Sequence, residues 1–415
     1  MTLRRAALSG AAAVAVAAMT ATALAAPAWA GTGRDTGRGT GHQALHRAME
    51  TVVEGGTPGV TAQARDGRGV WRAAVGTGDL RTGKPRGTED RFRVASITKT
   101  FVATVLLQME AEGKLDLDDT VDRWLPGLVR GNGHDGREIT VRQLLNHTSG
   151  VYDFLNDQEY LDTYVLAPGF LEHRYETRTP QAAVDVAMSH APDFAPGTRH
   201  QYSNTNYVLA GLIIEAVGGN TYEDEVRSRI IGPLKLRGTV MPGDTWHMPR
   251  PSSRAYSTLS LDPAATKIYD VTEQNASQSW ADGDIISTTG DLNRFLTALL
   301  RGELLPPAQL KAMLTAVPVP DEEYSGYGLG IGTYRTSCGT TVWGHSGGWL
   351  GSLSEVVSTA DGRHSLAYNL NGDWSMSASL VEAEFCGVTG GSGRAAAPGD
   401  RLPRKPDATG VRAGR

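Results

Sequence analysis

The chain has 415 residues, a length at which one large domain or two interleaved subdomains are expected. Hydrophobic residues make up 40% of it, enough for a substantial core, while the net charge is only −5 and the part expected to fold contains no basic block. These features argue against a nucleic-acid partner and give no support for attachment to a membrane surface.

The N-terminus has the pattern of a secretory signal peptide. Arg4 and Arg5 precede an apolar run that ends in Pro27-Ala28-Trp29-Ala30, which contains an Ala-x-Ala cleavage sequence. A transmembrane anchor is the alternative, but the run consists mostly of Ala and Thr and is weakly apolar. We therefore expect residues 1–30 to be removed and residues 31–42 to form a disordered leader. The mature protein is expected to be secreted, without stable insertion in the membrane.

A helix and a β-hairpin are the first elements expected in the folded part, residues 43–388. Residues 42–53 carry apolar side chains at helical spacing and are followed by two glycines. Two alternating segments, 59–64 and 70–75, flank Asp66-Gly67, which is a hairpin signal.

The next helix begins with a Ser-x-x-Lys motif. Its apolar residues repeat every three to four positions up to a stop at Gly113, and Ser96 and Lys99 lie one turn apart at its start. A serine hydroxyl becomes a nucleophile when a neighbouring base takes its proton, and a desolvated lysine amine can be that base. Coincidence is the alternative, because about half a match is expected by chance in a chain of this composition.

Two further polar motifs adjoin helix ends in the middle of the chain. Thr140–Gln143 has the form of a capping box, and the helix that it opens runs to Asn146 and His147. We interpret His147 as a hydrogen-bonding structural residue rather than as a catalytic base. Tyr202-Ser-Asn204 precedes another apolar helix, so these side chains are either helix caps or site residues.

The last third of the chain has the pattern of an antiparallel sheet. After an irregular stretch that includes Trp280, strands are expected at 328–334, 341–345, 353–359 and 366–370, with a covering helix at 375–385. One strand ends in His345-Ser346-Gly347-Gly348, where the glycines indicate either a bulge or a group that approaches the backbone closely. Residues 389–415 are expected to be a disordered tail.

Both cysteines, Cys338 and Cys386, fall in this C-terminal region of a chain expected to be exported, where disulfides persist. Closing a loop of about fifty residues would stabilise the fold by about 4 kcal/mol. Two cysteines alone make a poor metal site, and the sequence contains no other metal-ligand motif. We therefore predict a structural disulfide, with no metal and no cofactor.

Together, Ser96-Ile-Thr-Lys99, Tyr202-Ser-Asn204 and His345-Ser-Gly347 resemble the motifs of the penicillin-recognising serine hydrolases, in the same order and spread. The resemblance is to the branch that contains class C β-lactamases and secreted serine D-alanyl-D-alanine carboxypeptidases, and it covers nearly all of residues 43–388. It is closest to the carboxypeptidases, because His rather than Lys opens the third motif. The implied fold is an α/β sandwich, an antiparallel β-sheet flanked by helices with an inserted all-helical subdomain.

The resemblance also implies roles for the motif residues. Ser96 would be the acyl-enzyme nucleophile, Lys99 would take its proton, and Tyr202 would relay a proton to the leaving amine. Whether Lys99 or Tyr202 is the base in acylation stays open, because their protons are coupled. The backbone N–H groups of Ser96 and Gly348 would form the oxyanion hole. The expected substrate-binding residues are Asn204, Trp280, His345, Ser346 and Gly347.

The function that the resemblance implies most directly is that of a secreted D-Ala-D-Ala carboxypeptidase-type peptidase, which acts on peptidoglycan peptides and is acylated by β-lactams. Two departures weaken its preference for a free carboxylate: related carboxypeptidases carry Arg where this chain has Gly332 and Thr where it has Gly348. A class C-like β-lactamase, an esterase, a D-amino-acid amidase or an endopeptidase on the same scaffold is therefore the alternative. The alternative from a different functional class is a protein that binds β-lactams and does not turn them over. We expect a monomer whose partner is a peptide or β-lactam substrate.

Overall fold

The structure is a computed structural model that describes residues 42–319, 324–374 and 379–388. The predicted signal peptide (1–30), nearly all of the predicted leader (31–42) and the predicted tail (389–415) lie outside the described residues, so these boundaries stay predictions. The described part confirms the expected fold class, an antiparallel sheet flanked by helices with a helical insertion.

A single large sheet is formed by both ends of the folded chain. The described strands are β1 (Gly59–Asp66), β2 (Gly69–Asp79), β3 (Lys84–Pro85), β4 (Phe92–Arg93), β5 (Arg130–Gly131), β6 (His134–Asp135), β7 (Tyr256–Ser257), β8 (Tyr269–Asp270), β9 (Ile286–Ser287), β10 (Val317–Pro318), β11 (Gly326–Tyr327), β12 (Gly332–Arg335), β13 (Thr341–Trp349), β14 (Ser352–Thr359) and β15 (Ser365–Leu370). Nine of these form the sheet, in the order β10-β11-β12-β13-β14-β15-β1-β2-β3, and all neighbours are antiparallel. The predicted N-terminal hairpin thus extends a sheet made by the C-terminal strands.

Helices cover the sheet and form the insertion. They are α1 (Gln43–Glu54), α2 (Thr98–Ala111), α3 (Val121–Trp124), α4 (Val141–Leu145), α5 (Gln158–Tyr164), α6 (Gly169–His173), α7 (Pro180–Met188), α8 (Thr205–Gly218), α9 (Tyr222–Val226), α10 (Gly232–Leu234), α11 (Thr289–Leu300), α12 (Pro307–Met313) and α13 (Ser379–Cys386). The capping box predicted at Thr140 is present at the start of α4. Helices α3 to α10 form the insertion between α2 and the returning sheet.

Side chains of the sheet alternate between two hydrophobic cores. On β15, Leu366 and Tyr368 pack into the core that contains α1 and α13, while Ala367 packs into the core that contains α2, α8 and α11. The central strand β1 pairs with β15 and β2, and its residues from Val60 to Ala64 are all buried. A strand enclosed on both faces requires such continuous burial.

The strand expected at 328–334 is confirmed from Gly332 onward, but the prediction was wrong for residues 328–331. Strand β11 ends at Tyr327 and β12 begins only at Gly332. Between them, the N–H groups of Leu329 and Gly330 donate to the carbonyls of Met313 (3.0 Å) and Leu145 (3.1 Å). The chain therefore leaves the sheet to bond to the helical part before it returns. Strand β13 also continues past the predicted end, to residue 349.

The predicted disulfide between Cys338 and Cys386 is present and joins the β12–β13 turn to the end of α13. The two Cα atoms lie 5.6 Å apart, and the cysteines are separated by 48 positions in sequence. Of the helix predicted at 375–385, residues 379–386 are helical, and residues 375–378 lie outside the described residues.

Candidate active site

Ser96 lies in a tight turn before α2 whose backbone is held by the sheet. The Oγ atoms of Ser352 and Ser354, on β14, donate to the backbone carbonyls of residues 93 (2.7 Å) and 94 (3.1 Å). Ala95 has a φ of +49°, a left-handed conformation that is uncommon for alanine. These bonds fix the strained turn, which places Ser96 in a short 3₁₀ helix, Ala95–Ile97, two positions before α2 begins at Thr98.

Strand β13 passes very close to this turn at Gly347. A Cβ atom at that position would lie 2.1 Å from the carbonyl oxygen of Val94 and 3.0 Å from the backbone nitrogen of Ser96. Only glycine permits this approach. The group that was expected to approach the strand closely at its glycines is therefore the turn that carries Ser96. The next residue, Gly348, follows on the same strand, and its role in an oxyanion hole with Ser96 stays a prediction.

The Nζ atom of Lys99 is the centre of the site. Lys99 is fully buried, and Nζ lies within hydrogen-bonding distance of Oγ of Ser96 (3.0 Å), Oδ1 of Asn204 (2.8 Å) and the carbonyl oxygen of Asp282 (2.8 Å). A neutral amine has two N–H groups, which can satisfy Asn204 and Asp282. Its lone pair then faces Ser96, and in that state the amine can accept the serine proton.

Asp153 fixes the orientation of the Asn204 side chain. The Nδ2 atom of Asn204 donates to Oδ2 of Asp153 (2.9 Å), so that Oδ1 must face Lys99. One hydrogen of Nδ2 stays available for a substrate carbonyl. Burial raises the pKa of Asp153 to about 6, although the Asn204 hydrogen bond and the Lys99 charge oppose this shift.

A tight turn presents the carbonyl of Asp282 to Lys99. The N–H of Gly283 donates to the carbonyl of Trp280 (3.1 Å), and Trp280 has a φ of +43°. The Asp282 carboxyl group is buried, and its Oδ2 atom has no hydrogen-bond partner among the described residues. Burial raises the pKa of Asp282 to about 8, with the Lys99 charge opposing the shift and Asp153 adding to it.

The described contacts of Trp280 are with the helical core rather than with Ser96, and its role in substrate binding stays a prediction. Its Nε1 atom donates to Glu223 (3.2 Å), and its ring packs against Tyr222 (centroids 5.1 Å apart). The ring also covers Gly211 of α8, where a Cβ would meet it at 2.8 Å. The indole therefore anchors the 280–284 turn in the helical core.

Tyr202 joins the group as predicted. The Nζ atom of Lys99 lies 5.0 Å from the centroid of the Tyr202 ring, and Tyr202 is only half-buried. Three residues from distant parts of the sequence, Ser96, Lys99 and Tyr202, thus meet at one place. Asn204 meets them through the bond to Lys99 described above.

His345 is a neutral, fully enclosed side chain. Its Nδ1 atom faces the carbonyl of Ser346 and must donate to it, so that Nε2 accepts a hydrogen bond from the hydroxyl of Tyr327 (2.7 Å). Burial, together with the positive charge of Lys99, lowers the pKa of His345 to about 3. The side chain therefore shapes the strand and carries no charge at neutral pH.

Tyr324 occupies the space beside Ser346 and Gly332. Its hydroxyl lies 2.7 Å from Oγ of Ser346 and accepts a hydrogen bond from the backbone N–H of Ser346 (2.9 Å). A Cβ on Gly332 would come within 2.3 Å of the Tyr324 ring. Tyr324 is itself buried, so the ring fills the position where an arginine side chain from residue 332 would lie.

The residues that sequence reasoning missed are Asp153, Asp282, Tyr324 and Tyr327. Tyr327 had a local signal, because it stands in a glycine-rich run, Gly326-Tyr-Gly-Leu-Gly330. The other three stand in segments without regular pattern, and only burial beside the motif residues gives them a role. Within the described residues, no group of three or more His, Cys, Asp or Glu side chains is arranged to hold a metal ion.

This geometry, in this fold, defines the chain as a serine hydrolase with the beta-lactamase/transpeptidase-like architecture. A comparison with protein families is more specific: residues 42–377 match the family described as Beta-lactamase, and the chain belongs to that family. The resemblance inferred from the three motifs is thereby confirmed.

Solved structures include close neighbours. A D-stereospecific amidohydrolase from Streptomyces sp. is 53% identical, with a TM-score of 0.79, over 84% of this chain and 99% of that one. The D-amino acid amidase from Ochrobactrum anthropi SV3 is 30% identical, with a TM-score of 0.69, over 80% of this chain and 91% of that one.

Among curated proteins, penicillin-binding protein 4* from Bacillus subtilis is 28% identical over 75% of this chain and 68% of its own length. The chain spans 57% of a D-aminopeptidase from Cereibacter sphaeroides, at 27% identity over 76% of this chain. None of the helices in the described ranges has the length and apolarity needed to cross a membrane.

Proposed function

We propose that the protein is an exported D-stereospecific amidohydrolase. It transfers the acyl part of a D-aminoacyl amide or short D-peptide to Ser96 and then hydrolyses the acyl-enzyme. Export is supported by the N-terminal sequence pattern and by the disulfide between Cys338 and Cys386. The monomeric state stays a prediction, and a fold neighbour from Pyrococcus abyssi with 23% identity is described as octameric.

The observation that carries the choice of substrate is the position of Tyr324 over Gly332. A carboxypeptidase must bind a free carboxylate, and a bidentate arginine is the group best suited to that task. Here residue 332 has no side chain, the Tyr324 ring fills the space, and the Ser346 hydroxyl is already paired with Tyr324. A substrate that ends in an uncharged amide or ester requires no such group.

The chemistry follows from the hydrogen bonds of the site. The Oγ atom of Ser96 attacks the substrate carbonyl carbon while its proton passes to Nζ of Lys99, and a C–O bond forms. The C–N bond breaks as Tyr202 gives a proton to the leaving nitrogen and regains one from Lys99. A water molecule then attacks the ester, and the serine oxygen recovers its proton as the product acid leaves.

Two neighbouring structures support this proposal by their descriptions, the D-stereospecific amidohydrolase and the D-amino acid amidase. The first of these covers 84% of the chain at 53% identity, well above the identity to the penicillin-binding protein. The stereochemical preference proposed here rests on that likeness.

A penicillin-binding carboxypeptidase is the second candidate. It is favoured by the His345-Ser-Gly347 motif and by the similarity to penicillin-binding protein 4*. A class C-like β-lactamase, an esterase and a β-lactam-binding protein without turnover share the same nucleophile and differ from the amidohydrolase in the substrate that turns over.

A matched substrate panel tests the proposal. We would measure kcat/KM for D-phenylalanine amide, L-phenylalanine amide, and an acyl-D-Ala-D-Ala peptide as free acid and as C-terminal amide. The expected result is turnover of the D-amide, at least about 100-fold preference over the L-amide, and no preference for the free acid. Preference of ten-fold or more for the free acid over its amide would instead establish the carboxypeptidase.

A further inference from the structure

His147 holds the chain segment that carries Tyr202. Its backbone carbonyl accepts a hydrogen bond from the N–H of Gln201 (3.0 Å), and its Nδ1 atom accepts one from the N–H of Ser203 (3.2 Å). Between these two contacts, the imidazole ring packs on the Tyr202 ring with 4.2 Å between centroids. One residue thus contacts the positions before, at and after Tyr202.

Neighbouring side chains fix the protonation of this imidazole. The Oδ1 atom of Asn206 accepts a hydrogen bond from Ser149 (2.6 Å), so that its Nδ2 atom faces Nδ1 of His147 (3.1 Å). Nδ1 is therefore an acceptor from two N–H groups and cannot carry a proton. The single ring proton must lie on Nε2, which is the neutral form.

The surroundings of His147 also exclude a charged state. The side chain is fully buried, and burial lowers the pKa of His147 well below its usual range, with further contributions from His200, Lys99 and His345. Its φ of +57° is uncommon for a residue with a side chain and is tolerated best by Gly, Asn and Asp. A strained, buried residue with three contacts to one short segment is suited to positioning that segment.

We propose that His147 is a positioning residue for proton transfer. It holds the Tyr202 phenol against Lys99 and neither gives nor takes the transferred proton. This proposal rests on the proposed function, because that function assigns to Tyr202 the transfer of a proton to the leaving amine. Loss of the His147 contacts then impairs departure of the amine, which needs this proton, more than it impairs attack by Ser96.

The leaving group separates these two effects. An amide nitrogen must be protonated before it can leave, whereas 4-nitrophenolate leaves without a proton. We would therefore compare kcat/KM for D-phenylalanine amide and for the 4-nitrophenyl ester of the same D-amino acid. A general loss of folded enzyme lowers both values equally and leaves their ratio unchanged.

Three variants test the proposal. His147→Ala removes the acceptor and the ring, whereas His147→Asn keeps an acceptor atom and tolerates the positive φ. His200→Ala is the matched control, because His200 is a second imidazole that packs at 5.9 Å from His147. Should His147→Ala fail to fold, Asn206→Leu removes the side chain that fixes the imidazole and leaves residue 147 unchanged.

The expected result for His147→Ala, or for Asn206→Leu, is an amide-to-ester ratio lowered by about 10-fold to 100-fold, within the usual contribution of a proton-transfer group. His147→Asn should return the ratio to within about three-fold of the original enzyme, and His200→Ala should leave it unchanged. An unchanged ratio in the alanine or leucine variant, or no recovery with asparagine, would overturn the positioning role. Failure of the parent enzyme to hydrolyse the D-amide would instead count against the proposed function.

Discussion

The Nζ atom of Lys99 lies 3.0 Å from the Oγ atom of Ser96, and two further acceptors hold it in place. This contact predicts that Lys99 acts by accepting a proton and not only by its charge. Lys99→Gln and Lys99→Arg should both lower kcat by about 1,000-fold, because a guanidinium group cannot be deprotonated in a protein. The rates would be measured with the D-amide at saturating concentration.

Thermal unfolding of both lysine variants provides the control, since each must be folded for the rates to be compared. An arginine variant that retains more than a tenth of the original kcat would show that positive charge is sufficient, and that Lys99 is not the base.

The close approach of β13 to the nucleophile turn predicts a severe effect of Gly347→Ala. The new Cβ would lie 2.1 Å from the Val94 carbonyl, so the turn that carries Ser96 must shift. We expect kcat/KM to fall by about 100-fold or more, because small displacements of reacting groups have effects of that size. Gly67→Ala is the matched control, since a Cβ there meets no atom within 4 Å. Full activity of Gly347→Ala would mean that the turn and the strand are not coupled.

The buried carboxyl group of Asp282 predicts an unusual dependence of stability on pH. Its pKa is about 8 in the folded protein and near 3.8 in the unfolded chain. Between these values the folded state holds a proton that the unfolded state has lost, so Asp282 makes the protein less stable as pH rises from about 4 to about 8. Asp282→Asn removes this titration.

The free energy of unfolding of Asp282→Asn should therefore exceed that of the original protein by several kcal/mol at pH 9, with a much smaller difference at pH 5. Denaturant unfolding at both pH values measures this. The exposed Asp185 on α7 supplies the control, because Asp185→Asn is expected to change stability equally at both pH values. If the difference in the free energy of unfolding between Asp282→Asn and the original protein shrinks as pH rises, the raised pKa of Asp282 is contradicted.

The Tyr324 ring over Gly332 predicts that carboxylate recognition can be introduced. The double variant Tyr324→Ala/Gly332→Arg places a guanidinium group in the space that the ring vacates. We expect the ratio of kcat/KM for the free-acid peptide to that for its amide to rise by about ten-fold. Tyr324→Ala alone is the control, and Gly332→Arg alone should be destabilised because the ring blocks it. An unchanged ratio in a folded double variant would mean that this space is not next to the substrate's C-terminus.

Local patterns in the sequence predicted the elements that carry the motifs. The apolar repeat and Gly113 gave the extent of α2, and the capping box at Thr140 gave the start of α4. Both signals depend on neighbours in sequence, so one chain suffices to detect them. The break between β11 and β12 has no such signal, because it depends on hydrogen bonds from Leu329 and Gly330 to distant helices.

The polar environment of the motif residues could not be predicted in the same way. Asp153 is 51 positions from Asn204, and the Asp282 carbonyl is 183 positions from Lys99. Neither aspartate belongs to a spaced motif. From the 280–284 turn, the sequence suggested Trp280 as a site residue rather than Asp282. Which side chain of that turn reaches the lysine is decided by tertiary packing, which a single sequence does not encode in any local pattern.

Covalent labelling of Ser96 is the most direct test of the account. The enzyme would be mixed with a 4-nitrophenyl D-aminoacyl ester, and separately with a penicillin, quenched at short times and analysed by intact-mass and peptide mass spectrometry. We expect both reagents to add an acyl mass to the peptide that contains Ser96, the ester adduct to decay as the D-amino acid product forms, and Ser96→Ala to give no adduct. Turnover by Ser96→Ala, or a covalent adduct on any other residue, would contradict it.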